Sequence, residues 1–448
     1  SFVSLGCDKN LIDSEIMLGL IDEKGYIITP NDSEADVIII NSCGFILDAN
    51  QEAIDKVLEM ADYKANGNCK ALIVTGCMAQ RYKDEIFESL PEVDAVVGTG
   101  DFENIGAVID RLLNGEKKVQ LVTDINHLLN ENNSYKRMVT TTGGFSYLKI
   151  AEGCDNRCTY CTIPSLRGKY RSRNIESLVK EAQILADKGV RELILIAQDT
   201  SLYGKDLYGE QKLHVLLQEI SKIEDIKWIR ILYCYPENVY DELIDEMASN
   251  PKVLHYLDMP VQHTNDRILK LMGRRSTGDK IKDTVNRLRA KMPDMCIRTT
   301  LITGFPTETQ EEFESVIMKY FNIDFMKEVK FDRLGVFTYS PEEGTPACRM
   351  DGQIDEEIKA QRKESIMEAQ MEISAELGQK FVGKTLEVIV EGKIEDEDDL
   401  YCGRSFRDCY EIDGFVFFKS SEELIAGDFY NIKITSAGDY DLIGERVE

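Results

Sequence analysis

At 448 residues, with 43% hydrophobic and 30% charged side chains, the chain has a globular composition and is too long for one ordinary domain. Its longest apolar runs, such as residues 37–40, are strand-sized, which excludes a helical membrane span. A net charge of −27 supplies no overall basic footprint for nucleic acid, although a local basic groove stays open, and it favours a basic protein as macromolecular partner.

The first segment, residues 1–126, alternates short apolar runs at 2–5, 37–40, 71–74 and 95–97 with helical patterns at 13–23 and 49–61. That order predicts an open parallel α/β sheet. No basic, apolar leader precedes the first run, so a cytoplasmic location is expected. Residues 127–142 are polar and read as a linker. From 143 to about 349, runs at 147–150, 192–197, 228–233, 256–259, 298–302 and 334–338 alternate with helices. Six such units predict a partial (βα)6 barrel. Residues 355–377 read as an amphipathic helix carrying Ile358, Ile366, Met367, Met371 and Ile373, capped at Gly378, which closes this segment. The last segment, 378–448, has apolar runs at 386–390, 414–418 and 429–434, and predicts a small all-β barrel.

Twelve cysteines in such a chain suit metal ligands and buried thiols better than disulfides. Cys154, Cys158 and Cys161 share one short run directly after the first barrel strand, where barrel active sites are built. A structural zinc site needs four ligands, and a zinc ribbon would show a second paired-cysteine hook, which is absent. A four-iron cluster held by three thiolates leaves one iron open to a small chelating molecule. Cys234 is the nearest candidate for a fourth ligand. Cys7, Cys43 and Cys77 are far apart in sequence, yet each closes a strand. Parallel strands bring their carboxyl ends to one edge, where open α/β sheets bind ligands. These three therefore form a second open set, with Gly6, Gly44 and Gly76 beside them to allow close approach. Cys69 precedes its strand and reads as structural.

The spacing of Cys154, Cys158 and Cys161 resembles that of radical S-adenosylmethionine enzymes, and the whole chain resembles the methylthiotransferases among them. The opening Ser4-Leu5-Gly6-Cys7-Asp8-Lys9-Asn10 with Asp13-Ser14-Glu15 is similar to the RimO branch, although that branch usually has Pro where Asp8 stands. Ile163-Pro164-Ser165-Leu166-Arg167-Gly168, Ala197-Gln198-Asp199-Thr200, residues 331–337, residues 339–345 and Glu411-Ile412-Asp413-Gly414 agree with it. The resemblance implies an amino-terminal methylthiotransferase domain, a radical-SAM domain and a carboxyl-terminal TRAM domain. It further implies two [4Fe-4S] clusters: an auxiliary one on Cys7, Cys43 and Cys77, and a catalytic one on Cys154, Cys158 and Cys161 whose open iron holds S-adenosyl-L-methionine.

The implied reaction is radical methylthiolation of the β-carbon of an aspartate in protein twelve of the small ribosomal subunit. It consumes two S-adenosylmethionine molecules and draws electrons from a donor such as a flavodoxin or ferredoxin. The competing branch modifies a tRNA adenosine, and a non-catalytic iron–sulfur carrier is the rival class. From residue 379 to the end, 17 acidic residues stand against 8 basic ones, the reverse of an RNA-gripping barrel. The run Glu395-Asp396-Glu397-Asp398-Asp399 would attract a basic ribosomal protein, or is simply a solvated loop.

Within the barrel, Tyr160 can pack on adenine. Gln198, Gln262 and Arg298, at or near strand ends, can bind polar groups of the cofactor, Arg298 its carboxylate bidentately. His263 reads as an internally satisfied histidine. Arg167, Lys169, Arg171 and Arg173 form a local basic strip that either meets substrate or offsets the acidic surface.

Overall fold

The computed structural model describes residues 1–126, 131–317, 325–397 and 399–447. The amino-terminal sheet has strands β1 (Phe2–Ser4), β2 (Val37–Ser42), β3 (Ala71–Gly76), β4 (Ala95–Val97) and β5 (Val119–Leu121), all parallel and in that spatial order. Successive side chains on a strand point to opposite faces. Ile38 and Ile40 therefore pack with Val57 and Met60 of helix α2 (Leu47–Asn66). Ile39 turns the other way, onto Ile12 and Ile16 of helix α1 (Asp8–Glu23). Both faces are covered, which is why these strands read as continuous apolar runs. A short helix, α3 (Cys77–Arg81), follows β3 directly. The strand β5 is absent from the sequence expectation; it is three residues long with only Val119 fully buried.

The stretch between the first two sheets is less solvated than its composition suggests. Arg137 is 1% exposed, its Nε 2.5 Å from Glu15 Oε2, with further bonds to Glu181, Ser146 Oγ and the Tyr147 carbonyl. Residues 127–130 of the expected linker lie outside the described residues.

The second sheet contains β6 (Phe145–Lys149), then, past a short antiparallel pair β7 (Ala151–Glu152) and β8 (Arg171–Ser172), β9 (Glu192–Ile196), β10 (Trp228–Ile231), β11 (Val253–Asp258), β12 (Cys296–Thr303) and β13 (Arg333–Thr338). The order β13-β12-β11-β10-β9-β6 is parallel throughout and does not close, which makes it the expected partial barrel. Outward residues such as Leu193 and Leu195 pack on the surrounding helices. Inward residues such as Ile194, Ile196 and Tyr256 join a core that also holds Ile16 of α1 and Cys409 near the carboxyl end, so one apolar cluster runs through all three sheets.

The long helix spans Glu356–Gln379, and Asp355 caps it by accepting the Glu357 N–H at 2.9 Å. Gly378 lies inside the helix and not at its cap; a Cβ there would press on Ala437 at 3.2 Å. Its buried face carries Ile366, Ile373 and Leu377 together with Arg362 and Gln370, whereas Ile358 and Met371 face outward. Polar members of the inner face blur the apolar stripe, which explains why the sequence places these two residues wrongly.

Strands β14 (Thr385–Lys393), β15 (Leu400–Arg404), β16 (Val416–Lys419), β17 (Phe429–Ala437) and β18 (Leu442–Arg446) close a barrel in the order β14-β15-β16-β18-β17. The loop between β15 and β16 runs along the amino ends of the second sheet. There Arg230 donates to the Phe406 carbonyl at 2.8 Å, Tyr410 lies 4.2 Å from Phe145 between ring centroids, and Arg333 pairs with Asp408. Glu192 sits between Arg230 at 2.8 Å and Arg404 at 2.7 Å, all three fully buried. No helix among the described residues is long and apolar enough to cross a membrane.

Candidate active site

Glu152 ends β7, and the chain turns at Gly153 with φ +80°. A Cβ at Gly153 would sit 2.1 Å from the Lys169 carbonyl, so only glycine fits this entry to the cysteine loop. Cys154 N–H then donates to the Gly168 carbonyl at 3.1 Å, and Cys161 N–H to the Cys158 carbonyl at 3.1 Å. Thr159 anchors the loop to residues 271 and 272 through its N–H at 2.9 Å and its hydroxyl at 2.8 Å. Cys154 and Cys158 are buried and Cys161 is half-buried. Burial pushes the Cys154 thiol up to about 11 and raises Cys161 as well. Such thiols give up their protons readily only to a metal, whose charge offsets the desolvation.

Tyr160 is half-buried and packs on the cluster of Ile268, Met272, Phe305 and Ala347. Gln198 lies two residues past β9; its amide donates to Glu152 Oε1 at 2.8 Å while its own Oε1 is buried without a partner. Gln262, at φ +72°, stands past the carboxyl end of β11, half-buried beside the radical loop's sheet edge. Arg298 has different partners from the expected one. It is the third residue of β12, level with the start of β13, and its guanidinium meets Asp258 at 3.0 Å and Asp413 at 3.5 Å. His263 is satisfied internally by Glu308 at 3.0 Å. Cys234 is a core thiol 3.1 Å from Thr200 Oγ1, and Cys69 is buried with its Sγ on the Ala71 carbonyl at 3.3 Å.

The structure brings Cys7, Cys43 and Cys77 to one edge of the first sheet. Cys7 is the N-cap of α1, Cys43 follows β2, and Cys77 opens α3. At Gly44 a Cβ would meet the Cys77 carbonyl carbon at 2.7 Å, so glycine lets these two backbones touch. Burial raises Cys77 most; Arg167 opposes the rise, Cys7 and Cys43 add to it, and the thiol stands at about 12. Among the described residues no three Cys, His or carboxylate side chains close on a single metal ion. A cubane takes one thiolate per iron and spreads its ligands wider than a lone ion does, so the lack of a single-ion site among the described residues does not count against a cluster on either set.

A buried polar group joins the two sets. Arg167, at the end of the helix Ile163–Arg167 that follows Cys161, reaches across to Cys77 Sγ at 3.6 Å, Asp13 Oδ2 at 2.6 Å and Asn10. Lys149 bonds Asp13 at 2.5 Å and Glu152 at 2.7 Å. Burial works against the Glu152 charge, but Lys149 and Arg167 outweigh it and hold the carboxyl at about 2. Arg173, also in the expected basic strip, is buried against Glu181 at 2.7 Å. Two of the strip's four members are thus internal.

Sequence reasoning missed two further residues here. Arg274 is buried 4.0 Å from the Tyr235 ring centroid; burial works against its charge, but Tyr160, Tyr235 and Cys158 outweigh it and raise its pKa. Asp199 accepts from Asn156 Nδ2 at 3.0 Å, and burial lifts its carboxyl to about 6. No spacing rule marks either one. Asp199 stands in the stretch Ala197-Gln198-Asp199-Thr200, whose spacing alone assigns it no role.

A partial parallel barrel with a three-cysteine loop at the carboxyl end of its first strand defines a radical S-adenosylmethionine enzyme. Three family models match: uncharacterized protein family UPF0004 at residues 1–98, the radical SAM superfamily at 148–319 and the TRAM domain at 382–447. The chain is 50% identical over 443 residues to the ribosomal protein uS12 methylthiotransferase RimO of Lachnoclostridium phytofermentans, covering 99% of this chain and 98% of that one. It is 52% identical over 443 residues to the same-named protein of Clostridium botulinum, covering 99% and 96%. The chain therefore belongs to the RimO family of radical S-adenosylmethionine methylthiotransferases. Among solved structures it resembles the radical S-adenosylmethionine methyltransferase TsrM of Kitasatospora setae, with TM-score 0.54, 12% identity and coverage of 86% and 75%. That likeness is one of fold.

Proposed function

We propose that this enzyme methylthiolates the β-carbon of an aspartate in protein twelve of the small ribosomal subunit, using two [4Fe-4S] clusters and two S-adenosylmethionine molecules. The observation that carries the reading is the full-length identity of about half to relatives bearing that name, with both three-cysteine sets intact in this chain. When bound, the cofactors supply a 5′-deoxyadenosyl radical to remove hydrogen from the aspartate and a methylated sulfur to replace it.

The residues divide the remaining work. Cys154, Cys158 and Cys161 would hold the cluster that binds S-adenosylmethionine and supplies the electron for its cleavage. Tyr160 would pack on the adenine of that cofactor, and Gln262 would bind one of its polar groups. The unpartnered Gln198 oxygen is aimed to accept a hydrogen bond from the cofactor, since a buried orphan acceptor costs about 1–3 kcal/mol until it is met. Cys7, Cys43 and Cys77 hold the auxiliary cluster across the domain junction. Arg167 lies between the two sets, where its charge balances thiolate and excludes water.

The acidic carboxyl-terminal barrel serves as the dock for a basic ribosomal protein. Glu395, Asp396 and Glu397 are exposed at the turn between β14 and β15, and Asp399 pairs with Lys419 at 3.3 Å. Asp398 lies outside the described residues. A reducing protein such as a flavodoxin or ferredoxin supplies the electrons. The test is mass spectrometry of the ribosomal protein and of bulk tRNA from cells with and without the gene. A methylthio increment on one aspartate that disappears with the gene is expected. An unchanged ribosomal protein with methylthiolation lost from tRNA would overturn the reading.

A further inference from the structure

We propose that Glu342 is a positioning residue that fixes the auxiliary cysteine set against the radical loop; this rests on the reading of two separate three-cysteine sites. Glu342 lies in the segment that leaves the carboxyl end of β13, and its side chain is 6% exposed. Its Oε1 accepts the Leu47 N–H at 3.0 Å and the Ser340 hydroxyl at 2.7 Å. Its Oε2 takes Arg81 Nη1 at 2.9 Å.

Both partners belong to chain that carries auxiliary cysteines. Leu47 opens α2, directly after the loop of Cys43, and Ile46 at the N-cap has no side chain able to cap it. Glu342 supplies that cap from another domain, where a carboxylate also suits the positive end of the helix. Arg81 closes α3, whose first residue is Cys77. Arg81 Nη1 also donates to the Gly44 carbonyl at 3.0 Å, and Nη2 to the Glu343 carbonyl at 3.1 Å. One carboxylate thus holds the segments of two auxiliary cysteines.

The other end of the same stretch holds the radical loop. Ala347 N–H donates to the Thr159 carbonyl at 2.9 Å, between Cys158 and Cys161. The residues between are braced, for Thr345 Oγ1 bonds the Glu342 carbonyl at 2.7 Å. Residues 342–347 form a short strut from one cysteine set to the other. Transfer of a group between two centres depends steeply on their placement; a shift of about 1 Å can cost roughly 10²-fold in rate.

The test uses the full chain carrying Glu342→Gln, with Arg81→Gln as a second variant. Amide exchange in residues 43–50 and 77–82 should quicken about tenfold or more, before and after cluster loading, while residues 71–76 of the central strand stay unchanged. Iron content and S-adenosylmethionine cleavage without substrate should hold within about twofold. Methylthio product per 5′-deoxyadenosine should fall at least tenfold in each variant, and the double variant should lose less than the two losses combined, since Arg81 and Glu342 share one contact. Unchanged exchange in both segments, or faster exchange with an unchanged product ratio, would overturn the inference. Full iron retained after Cys7, Cys43 and Cys77 are all changed to Ala would instead sink the two-site reading beneath it.

Discussion

The two cysteine sets differ in how the chain assembles them. Cys154, Cys158 and Cys161 sit on one short loop, entered through a glycine and tied down at Thr159 by residues 271, 272 and 347. Cys7, Cys43 and Cys77 meet only after three parallel strands have paired, and Cys7 remains exposed where Cys77 is fully buried. Three cysteines on one loop stay neighbours whatever the sheets do, and distant change reaches them only through those few anchors. A set made by topology inherits every strain in its sheet and in the domain that braces it.

Single glycines should break this comparison most sharply. Gly153→Ala drives a Cβ into the Lys169 carbonyl at 2.1 Å and strains a left-handed φ, so it should remove the radical-loop iron and abolish 5′-deoxyadenosine. Gly44→Ala drives a Cβ to 2.7 Å from Cys77 backbone and should remove the other half of the iron, leaving cofactor cleavage detectable. Iron analysis and product chromatography on each variant check both outcomes.

The junction with the carboxyl-terminal barrel offers a contrast in stability. Burial works against Glu192, but Arg404 and Arg230 outweigh it and hold its carboxyl below the ordinary range. A depressed folded-state value means that this contribution is fully present above the unfolded value near pH 4.3 and is lost as pH falls through the lower folded value. Glu192→Gln leaves two buried guanidiniums short of their partner and should cost about 3 kcal/mol, read as a lower urea midpoint at neutral pH. An unchanged midpoint would mean that the arginines find other partners.

Thiol chemistry sharpens the same contrast at smaller scale. In cluster-free protein at pH 8, exposed Cys7 should alkylate at least about tenfold faster than Cys77, whose thiol is pushed up to about 12. Raising the pH toward 10 should speed Cys77 labelling. Equal rates, measured by peptide mass spectrometry, would show that the auxiliary edge is open in solution. The smallest effect on the fold should come from replacing Glu395, Asp396, Glu397, Asp398 and Asp399 by Ser or Asn. Stability should move by less than about 0.5 kcal/mol. Association with the basic ribosomal protein should slow severalfold at low salt and little at high salt; tighter tRNA binding with tRNA methylthiolation would reverse the substrate assignment.

The same difference governs how much can be read from the sequence. The radical loop is legible because its three cysteines are neighbours in the sequence. The auxiliary set is legible one step further on, because cysteines that close parallel strands share an edge. Strands β5, β15 and β18 escape because each is short or alternates buried and exposed residues, leaving no apolar run. The residues that join the sets are not legible at all. Arg167 meets Cys77 across 90 positions, Arg81 meets Glu342 across 261, and Leu47 meets Glu342 across 295. Their motifs are visible, yet no local pattern says which distant partner each one finds. Arg298 shows the converse error, since a lone arginine near a strand end looks free until Asp258 and Asp413 are placed beside it.

The central claim is a division of labour between two three-cysteine sites, and iron stoichiometry with cofactor cleavage tests it most directly. The reconstituted chain should hold about eight irons. With Cys154, Cys158 and Cys161 all changed to Ala, half the iron and all 5′-deoxyadenosine should vanish. With Cys7, Cys43 and Cys77 all changed to Ala, half the iron should vanish while cleavage persists and methylthio transfer stops. Loss of all iron in either variant, with circular dichroism unchanged, would contradict the account by showing a single shared site.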